Sequence, residues 1–309
     1  MIVLTPDGTT VQVPTDPSGP YAELIESSFH VALTTPDGLV WDLNNGPNVF
    51  LVEGVKLFGT PPVTHWWGAR PMAAGSKWRG VHYDNREPLL PVTIEADDWA
   101  TWRDVDSRFF ASVIPEVESL ITVTSPDAIS RYLRARLVDD GDVADDIDPL
   151  LFARKSYVLQ MVSGQPLWEG DEIPIGPFTA GAPKSFYPGP PWHLSGSRST
   201  ATASVTNPGA FPAWWWMTLT GPIPGFSVGV GDALVTSTTP IAAGDAVTID
   251  AGRHTIVDQD GADWFENTIQ ADWAPIPRGT DVPIVVDIAG TSTGWSVVGG
   301  FTPTYRRPW

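Results

Sequence analysis

The chain has 309 residues, 42% hydrophobic and only 17% charged, with 31 Pro, 29 Gly and no Cys. That length can bury the cores of two ordinary domains, and Pro and Gly spread this evenly exclude long helices without implying disorder. The missing Cys removes disulfides, thiolate zinc sites and cysteine nucleophiles and suits a reducing compartment, while a net charge of −18 repels phosphate and opposes specific nucleic-acid binding.

The opening, MIVLTPDGTTVQVP, has neither the basic n-region nor the apolar h-region of a signal peptide. No apolar run approaches the roughly 20 residues of a membrane span, so neither export by that route nor membrane insertion is expected. Residues 1–167 read as a first domain, mixed β with one helix. Leu39–Leu43, Phe50–Phe58 and Leu89–Ile94 predict strands, interrupted by Gly46-Pro47, Gly59 and Pro61-Pro62. Gly68 to Pro88, Gly- and Arg-containing with Trp78 and His82, is assigned no element. From Asp97 to Ile114 the period changes. Trp99, Trp102, Phe109, Phe110 and Val113 recur at three- and four-residue steps, which predicts an amphipathic helix packed on a sheet. Asp97 or Asp98 is its expected N-cap and Pro115 its stop, with Trp99 and Trp102 expected in the core.

Strands return at Leu120–Thr124, Arg131–Val138 and Ser156–Val162. Leu133, Ala135 and Leu137 alternate with Arg134 and Arg136, the pattern of a strand with one wet face. Asp139 to Asp148 then packs six carboxylates into ten residues. A solvated hairpin tip is the favoured reading, since the Gly and terminal Glu of an EF-hand loop are missing. Residues 168–192, with Gly176-Pro177 and Pro188-Gly189-Pro190-Pro191, read as a turn-rich linker.

The second domain, 193–309, reads as short strands at regular spacing, the signature of a β-sandwich. Asn207-Pro208-Gly209 separates the runs Ala203–Thr206 and Trp214–Thr220, and Ile241–Asp250 is followed by Arg253–Asp258 with Asp260-Gly261 at a type I′ hairpin position. In the strand Ala213–Thr220, Trp215, Met217 and Leu219 share the predicted core face, and Trp214, Trp216, Thr218 and Thr220 share the other. Trp214 and Trp216 are therefore expected to be partly exposed and to serve as an interface or glycan platform, covered by the linker, a neighbouring protein or a sugar.

This order of turns and strands, together with Ser125-Pro126-Asp127 leading into the Arg-rich strand at Arg131, resembles the distal tail proteins of long, non-contractile-tailed phages, those of actinobacterial phages in particular. Ala128 stands where that pattern carries Gly. The resemblance implies a mainly β chain: an N-terminal β-sandwich with one amphipathic helix and a C-terminal galectin-like β-sandwich. It further implies a structural virion protein, assembled in the host bacterial cytoplasm. Six copies would form a ring that joins the tail tube protein to the tail tip hub or tail-associated protein. The outer domains would then meet tail fibres or host cell-wall glycan, and Arg131, Arg134 and Arg136 would lie at the subunit interface. An acidic lumen would let DNA slide past; the plainer reading of the acids is solubility.

Chemistry is sparse. The five His stand at 30, 65, 82, 193 and 254 with no metal-ligand spacing, and no G-x-S-x-G elbow or P-loop occurs. Asp258 to Glu266 offers oxygen ligands, but its Asp-Gly turn explains them without a metal. No enzyme activity, cofactor or metal is expected. The alternative class is a carbohydrate-binding β-sandwich, which the 15 Trp would suit.

Overall fold

The computed structural model describes residues 2–4, 10–12, 29–52, 55–56, 58–70, 74–141, 148–180, 198–290 and 293–309. They fall into two compact units, Met1–Glu169 with Arg306–Trp309, and Gly170–Tyr305. The protein is mainly β throughout, as its Pro, Gly and short apolar runs predict.

In the first unit β1 (Ile2–Leu4) pairs with β2 (Thr10–Gln12). There follow β3 (His30–Thr34), β4 (Val40–Asp42), β5 (Val49–Leu51), β6 (Val63–Ala69), β7 (Ser76–Tyr83), β8 (Leu89–Glu95), helix α1 (Trp99–Ser112), β9 (Ser119–Thr124), β10 (Ser130–Asp139), the short helix α2 (Pro149–Phe152), β11 (Arg154–Val162) and β12 (Trp168–Glu169). The hydrogen-bonded order is β4-β3-β9-β10-β11-β8-β5. Strand β10 carries the path from one half to the other. Its first six residues pair with β9, and Arg136 to Asp139 pair with β11 across a register shift, so a single long strand serves two sheets, as corner strands do in β-sandwiches. Cross-strand neighbours Leu33, Ile121 and Leu133 on one half, and Leu90 and Leu159 on the other, are buried at 1% exposure or less.

The helix forms where its period predicts. Asp98 is the cap: its Oδ1 accepts from the Ala100 and Thr101 amides at 2.9 and 3.0 Å, satisfying two of the free donors of the first turn. The buried stripe is Trp102, Val105, Phe109 and Ser112, with Phe109 edge-on to Trp41 at 5.2 Å and the Trp41 indole N–H donating to Ser112 Oγ at 3.1 Å. Trp99, expected in the core, is 53% exposed. At about 100° per residue it lies roughly a quarter-turn from the stripe centre, and the Arg103 guanidinium covers it 5.3 Å from the ring.

Two other expectations change. The strand expected over Phe50–Phe58 is three residues long, although the Val52 and Lys56 amides still donate to Pro91 and Leu89. The segment left unassigned at Gly68 to Pro88 contains β7, which pairs with β6 as a two-stranded arm.

The largest buried polar group is Arg86, with no exposed surface. Its guanidinium donates to the carbonyls of Pro166 at 2.7 Å, Gly59 at 2.7 Å and Arg306 at 3.0 Å and sits 5.7 Å from the Trp168 ring. Burial lowers its pKa to about 10, so it stays cationic at neutral pH.

The second unit begins inside the expected linker. β13 (Ile173–Thr179) is a strand because Ile173 and Ile175 alternate, with Ile175 2% exposed; residues 181–192 of that stretch lie outside the described residues. β14 (Arg198–Thr206), β15 (Trp215–Thr220), β16 (Phe226–Val230), β17 (Ala233–Ser237), β18 (Ala246–Asp250), β19 (Thr255–Asp258), β20 (Thr268–Ala271), β21 (Asp281–Ala289), β22 (Ser296–Phe301) and β23 (Thr304–Tyr305) follow. All of these except β23 build two antiparallel five-stranded sheets, β13-β22-β15-β18-β19 and β14-β21-β16-β17-β20, around one core of Trp215, Met217, Leu219, Phe226, Ile284 and Phe301 among others. This is a β-sandwich.

The Asn207-Pro208-Gly209 signal proves to be a buried lock. Asn207 has no exposed surface; its amide donates to Phe211 O at 2.8 Å and Ile276 O at 3.1 Å, and its Oδ1 accepts from Gly209 N at 2.8 Å. A Cβ at Gly209 would stand 2.8 Å from that Oδ1 and 3.0 Å from Thr304 N. The hairpin after β19 differs from expectation. Only Gly261 takes a positive φ, of 79°, and the Asp258 amide donates to Ala262 O, so the loop is one residue wider than a type I′ turn.

Three stability outcomes follow from this packing. Arg86→Ala empties a fully buried position and removes the donor of three backbone carbonyls, and should destabilise the protein by about 3–5 kcal/mol in urea titration. Trp215→Ala should cost about 3–5 kcal/mol and Trp214→Ala less than about 1 kcal/mol; similar losses would invert the β15 register. Ala128, at φ 62°, occupies the left-handed region that penalises a side chain. Ala128→Gly should therefore raise the unfolding free energy by about 1 kcal/mol, and a drop would show that the turn is not strained.

Candidate interaction surfaces

Among the described residues, the arm of β6 and β7 is the largest exposed aromatic feature. Trp66, Trp67 and Trp78 are 62, 60 and 51% exposed, and Val63 and Val81 are exposed beside them. Trp67 pairs across the arm with Trp78, and Trp66 with Gly80. The Trp78 indole N–H donates to His65 Nδ1 at 3.2 Å, and the His65 and Trp67 rings lie 6.3 Å apart. Trp66, Arg79, Gly80, Val81 and His82 line a shallow notch. A two-stranded ribbon has no third strand or helix to cover it, and such a ribbon is marginal in water. Clustered exposed aromatics of this kind mark contact surfaces. The arm's roots are held: Asp84 N donates to Pro62 O at 3.0 Å, and Arg86 clasps Gly59.

Of the three arginines expected at a subunit interface, the structure brings two together. Arg134 and Arg136 share the outer face of β10, while Arg131 falls on the side of Leu133 and Ala135 by strand alternation and donates to Ser130 O at 2.9 Å. Arg134 Nε lies 3.7 Å from Glu169 and Arg136 Nε 3.8 Å from Glu118; Arg136 also donates to Glu116 O. Burial raises the Glu169 pKa, Arg134 opposes the shift and Glu118 adds to it. Both outward arginines thus have partners within the chain, on a solvent-facing strand.

Trp214, just before β15, and Trp216 on it face away from the core that holds Trp215. Trp214 is 42% exposed and Trp216 half-buried, against 1% for Trp215. Trp214 packs edge-on to His254 at 5.6 Å, and His254 stacks on Trp273 at 5.2 Å. A Cβ at Gly252 would meet Trp214 Cβ at 3.1 Å, so that glycine admits the indole. Asp250, opposite Trp216, accepts from the Gly252 and Arg253 amides at 2.9 and 3.0 Å. The two indoles do not form one flat platform: Trp214 belongs to the His254–Trp273 cluster at the strand end. Beyond it His254, Thr255, Val257, Gly261, Asp263 and Phe265 line an open cleft of about 370 Å³.

Two of the four acids from Asp258 to Glu266 are spent on backbone. Asp258 accepts from the Asp260 and Ala262 amides at 3.0 and 2.9 Å, and Asp263 from Phe265 N at 2.9 Å. Among the described residues no three His, Asp or Glu side chains gather as a metal site, and no helix is long and apolar enough to cross a membrane. Of the acidic run Asp139 to Asp148, residues 142–147 lie outside the described set, as does His193.

Two features escaped sequence reasoning. Arg86 carries no local signal, because its three acceptors are remote in sequence. Helix α2 exposes Leu150, Leu151 and Phe152 at 51, 78 and 64%; the signal was three successive apolar residues behind an Asp-Pro start.

No family model matches the chain, and no curated protein matches it by sequence. By fold it is similar to the crystal structure of the Dit protein of phage SPP1, described as a paradigm of the hub adsorption apparatus in phages infecting Gram-positive bacteria. The TM-score is 0.61 at 13% identity, over 90% of this chain and 99% of that one. It is also similar to a chain of the phage P2 baseplate in its activated conformation with Ca, at a TM-score of 0.50 and 11% identity, over 91% of this chain and 99% of that one. The chain therefore has the fold of a phage tail hub protein over both of its units.

Proposed function

We propose that this protein is a distal tail protein of a long, non-contractile phage tail, a structural subunit that acts through geometry and not through turnover. The observation that carries the reading is the extent of the fold likeness: both units, in one chain, match the SPP1 hub protein over nearly its whole length. In this reading the first unit of six copies closes a ring that continues the tail tube and hands over to the tip hub, and the second unit offers attachment to fibres or the cell surface. A ring needs heterologous contacts, each copy presenting two different faces. The uncovered aromatic arm supplies one such face, since Trp66, Trp67 and Trp78 gain most from removal from water. Arg134 and Arg136, already paired within the chain, add a polar strip on the outer face of β10. The carbohydrate-binding alternative rests on one observation, the exposed Trp214 beside His254 and Trp273; a glycan array with the full chain and Trp214→Ala separates it.

Reconstruction of assembled tails, or native mass measurement of the purified chain, should find six copies per ring. Replacing Trp66, Trp67 and Trp78 together by Ser should leave the circular dichroism spectrum intact and abolish the ring. A stoichiometry that is not a multiple of three, or full assembly of the triple variant, would overturn the reading.

A further inference from the structure

The cleft beside His254 belongs to the edge of the second unit's sheet that is farthest from β13. Thr255 and Val257 of β19 stand opposite Asp250 and Thr248 of β18, which in turn oppose Trp216 and Thr218, so all of them share the outer face. Beyond β19 the chain turns back on itself. Val257 bridges Asp263, and the Trp264 amide donates to Ile256 O at 2.9 Å. That return brings Asp263 and Phe265 beside the strand, and one cleft of about 370 Å³ is lined by His254 and Thr255 from before the loop and by Asp263 and Phe265 from after it. Its volume is that of a small-ligand site.

The walls define the chemistry of the occupant. Phe265 is 42% exposed, yet its backbone is fixed, because its amide donates to Asp263 Oδ1 at 2.9 Å and it opens a short 3-10 turn. An exposed ring on a fixed backbone offers its electron-rich face to the C–H side of a pyranose. The bond to Phe265 also orients Asp263 and uses only one acceptor position of a carboxylate that has about four, which suits it to accept from neighbouring sugar hydroxyls. His254 is held at a costly position. Its φ of 55° is in the left-handed region that residues other than Gly rarely adopt, while its imidazole is clamped, stacked on Trp273 and edge-on to Trp214. Backbone of this kind persists only where its surroundings over-determine it, and it clusters at ligand sites.

Charge narrows the class further. From Asp258 to Glu266 the chain carries four carboxylates and no base, which repels phosphate- and uronate-bearing polymers. We infer that this cleft binds a neutral pyranose glycan, with Phe265 as the stacking wall, Asp263 as the acceptor of sugar hydroxyls and His254 as a fixed polar edge. The inference rests on the reading in which the second unit meets the cell surface. It names the ligand class and places the site beside Trp214, not on it.

The test is an array read with the full-length chain. It carries neutral oligosaccharides of hexose, deoxyhexose and N-acetylhexosamine, and anionic poly(glycerol phosphate) and polygalacturonate. Neutral glycans should bind and the anionic ones should not. Calorimetric titration with the strongest neutral binder should show a dissociation constant raised about tenfold or more in Phe265→Ala and in Asp263→Asn, and little response to added salt. Both variants should melt as the parent does, and Val298→Ser, at an exposed position of β22 in the same sheet, should bind as the parent does. An array with no neutral binder, preference for the anionic polymers, or undiminished binding by either cleft variant overturns the inference. Ring formation is measured on the same proteins: rings without glycan binding leave the hub reading standing, whereas glycan binding at the cleft without rings removes the hub reading and keeps the site.

Discussion

A guanidinium on a side chain with no exposed surface sets the frame for the first unit. Arg86 cannot shed its charge near neutral pH, so its donors must be satisfied from within, and they are satisfied by backbone carbonyls at Gly59, Pro166 and Arg306. Each of these three carbonyls is on an irregular segment that no sheet ladder holds, so the side chain orders chain that the sheets do not. The Trp168 indole beneath completes the enclosure, its N–H donating to Phe58 O at 3.3 Å. One of the three tethers matters beyond packing. Gly59 lies at the root of the arm, and Arg86 itself follows the arm's second strand, so one side chain joins both roots. In the proposed ring, an arm that presents three indoles serves only if its base does not swing.

The same logic of internal satisfaction recurs in the second unit on a smaller scale. Asn207 spends its amide on two carbonyls and its oxygen on Gly209 N, fixing the entry to β15. With that entry fixed, the alternation of the strand is fixed too, and Trp215 goes inward with its N–H on Ala274 O at 3.0 Å. The exposure of Trp214 follows from the turn before it as much as from the strand.

What could be read from the sequence divides along physical lines. Helix α1 was legible because its cap, period and stop lie within twenty residues of each other, and β15 because strict alternation places Trp215, Met217 and Leu219 on one side. The arm was not, since adjacent Trp66 and Trp67 and interspersed glycines break the period-two signal that a half-buried strand carries; an arm with both faces wet has no reason to alternate. Trp99 misled because a three-residue step joins it to Trp102 while the true stripe continues through Val105. The linker hid a strand behind its prolines, which β13 tolerates beside the register shift in its pairing with β22. Among the proposed functional residues, Trp214 and Trp216 could be placed from alternation, whereas the split of Arg131 from Arg134 and Arg136 follows from the same rule applied to β10.

The chain's last four residues belong to the first unit, where Trp309 lies 5.2 Å from Phe29, while the Gly170 amide donates to Pro303 O at 2.8 Å. Entry into and exit from the second unit are therefore next to each other. In topological terms the second unit is an insertion into the first, a cassette carried on two adjacent strands of chain. Insertions of that form are tolerated where their ends are close. A different module, grafted between the same two points, would leave the clasp at Arg86 and the arm it anchors untouched, so that the second unit can be exchanged without altering how the first is built.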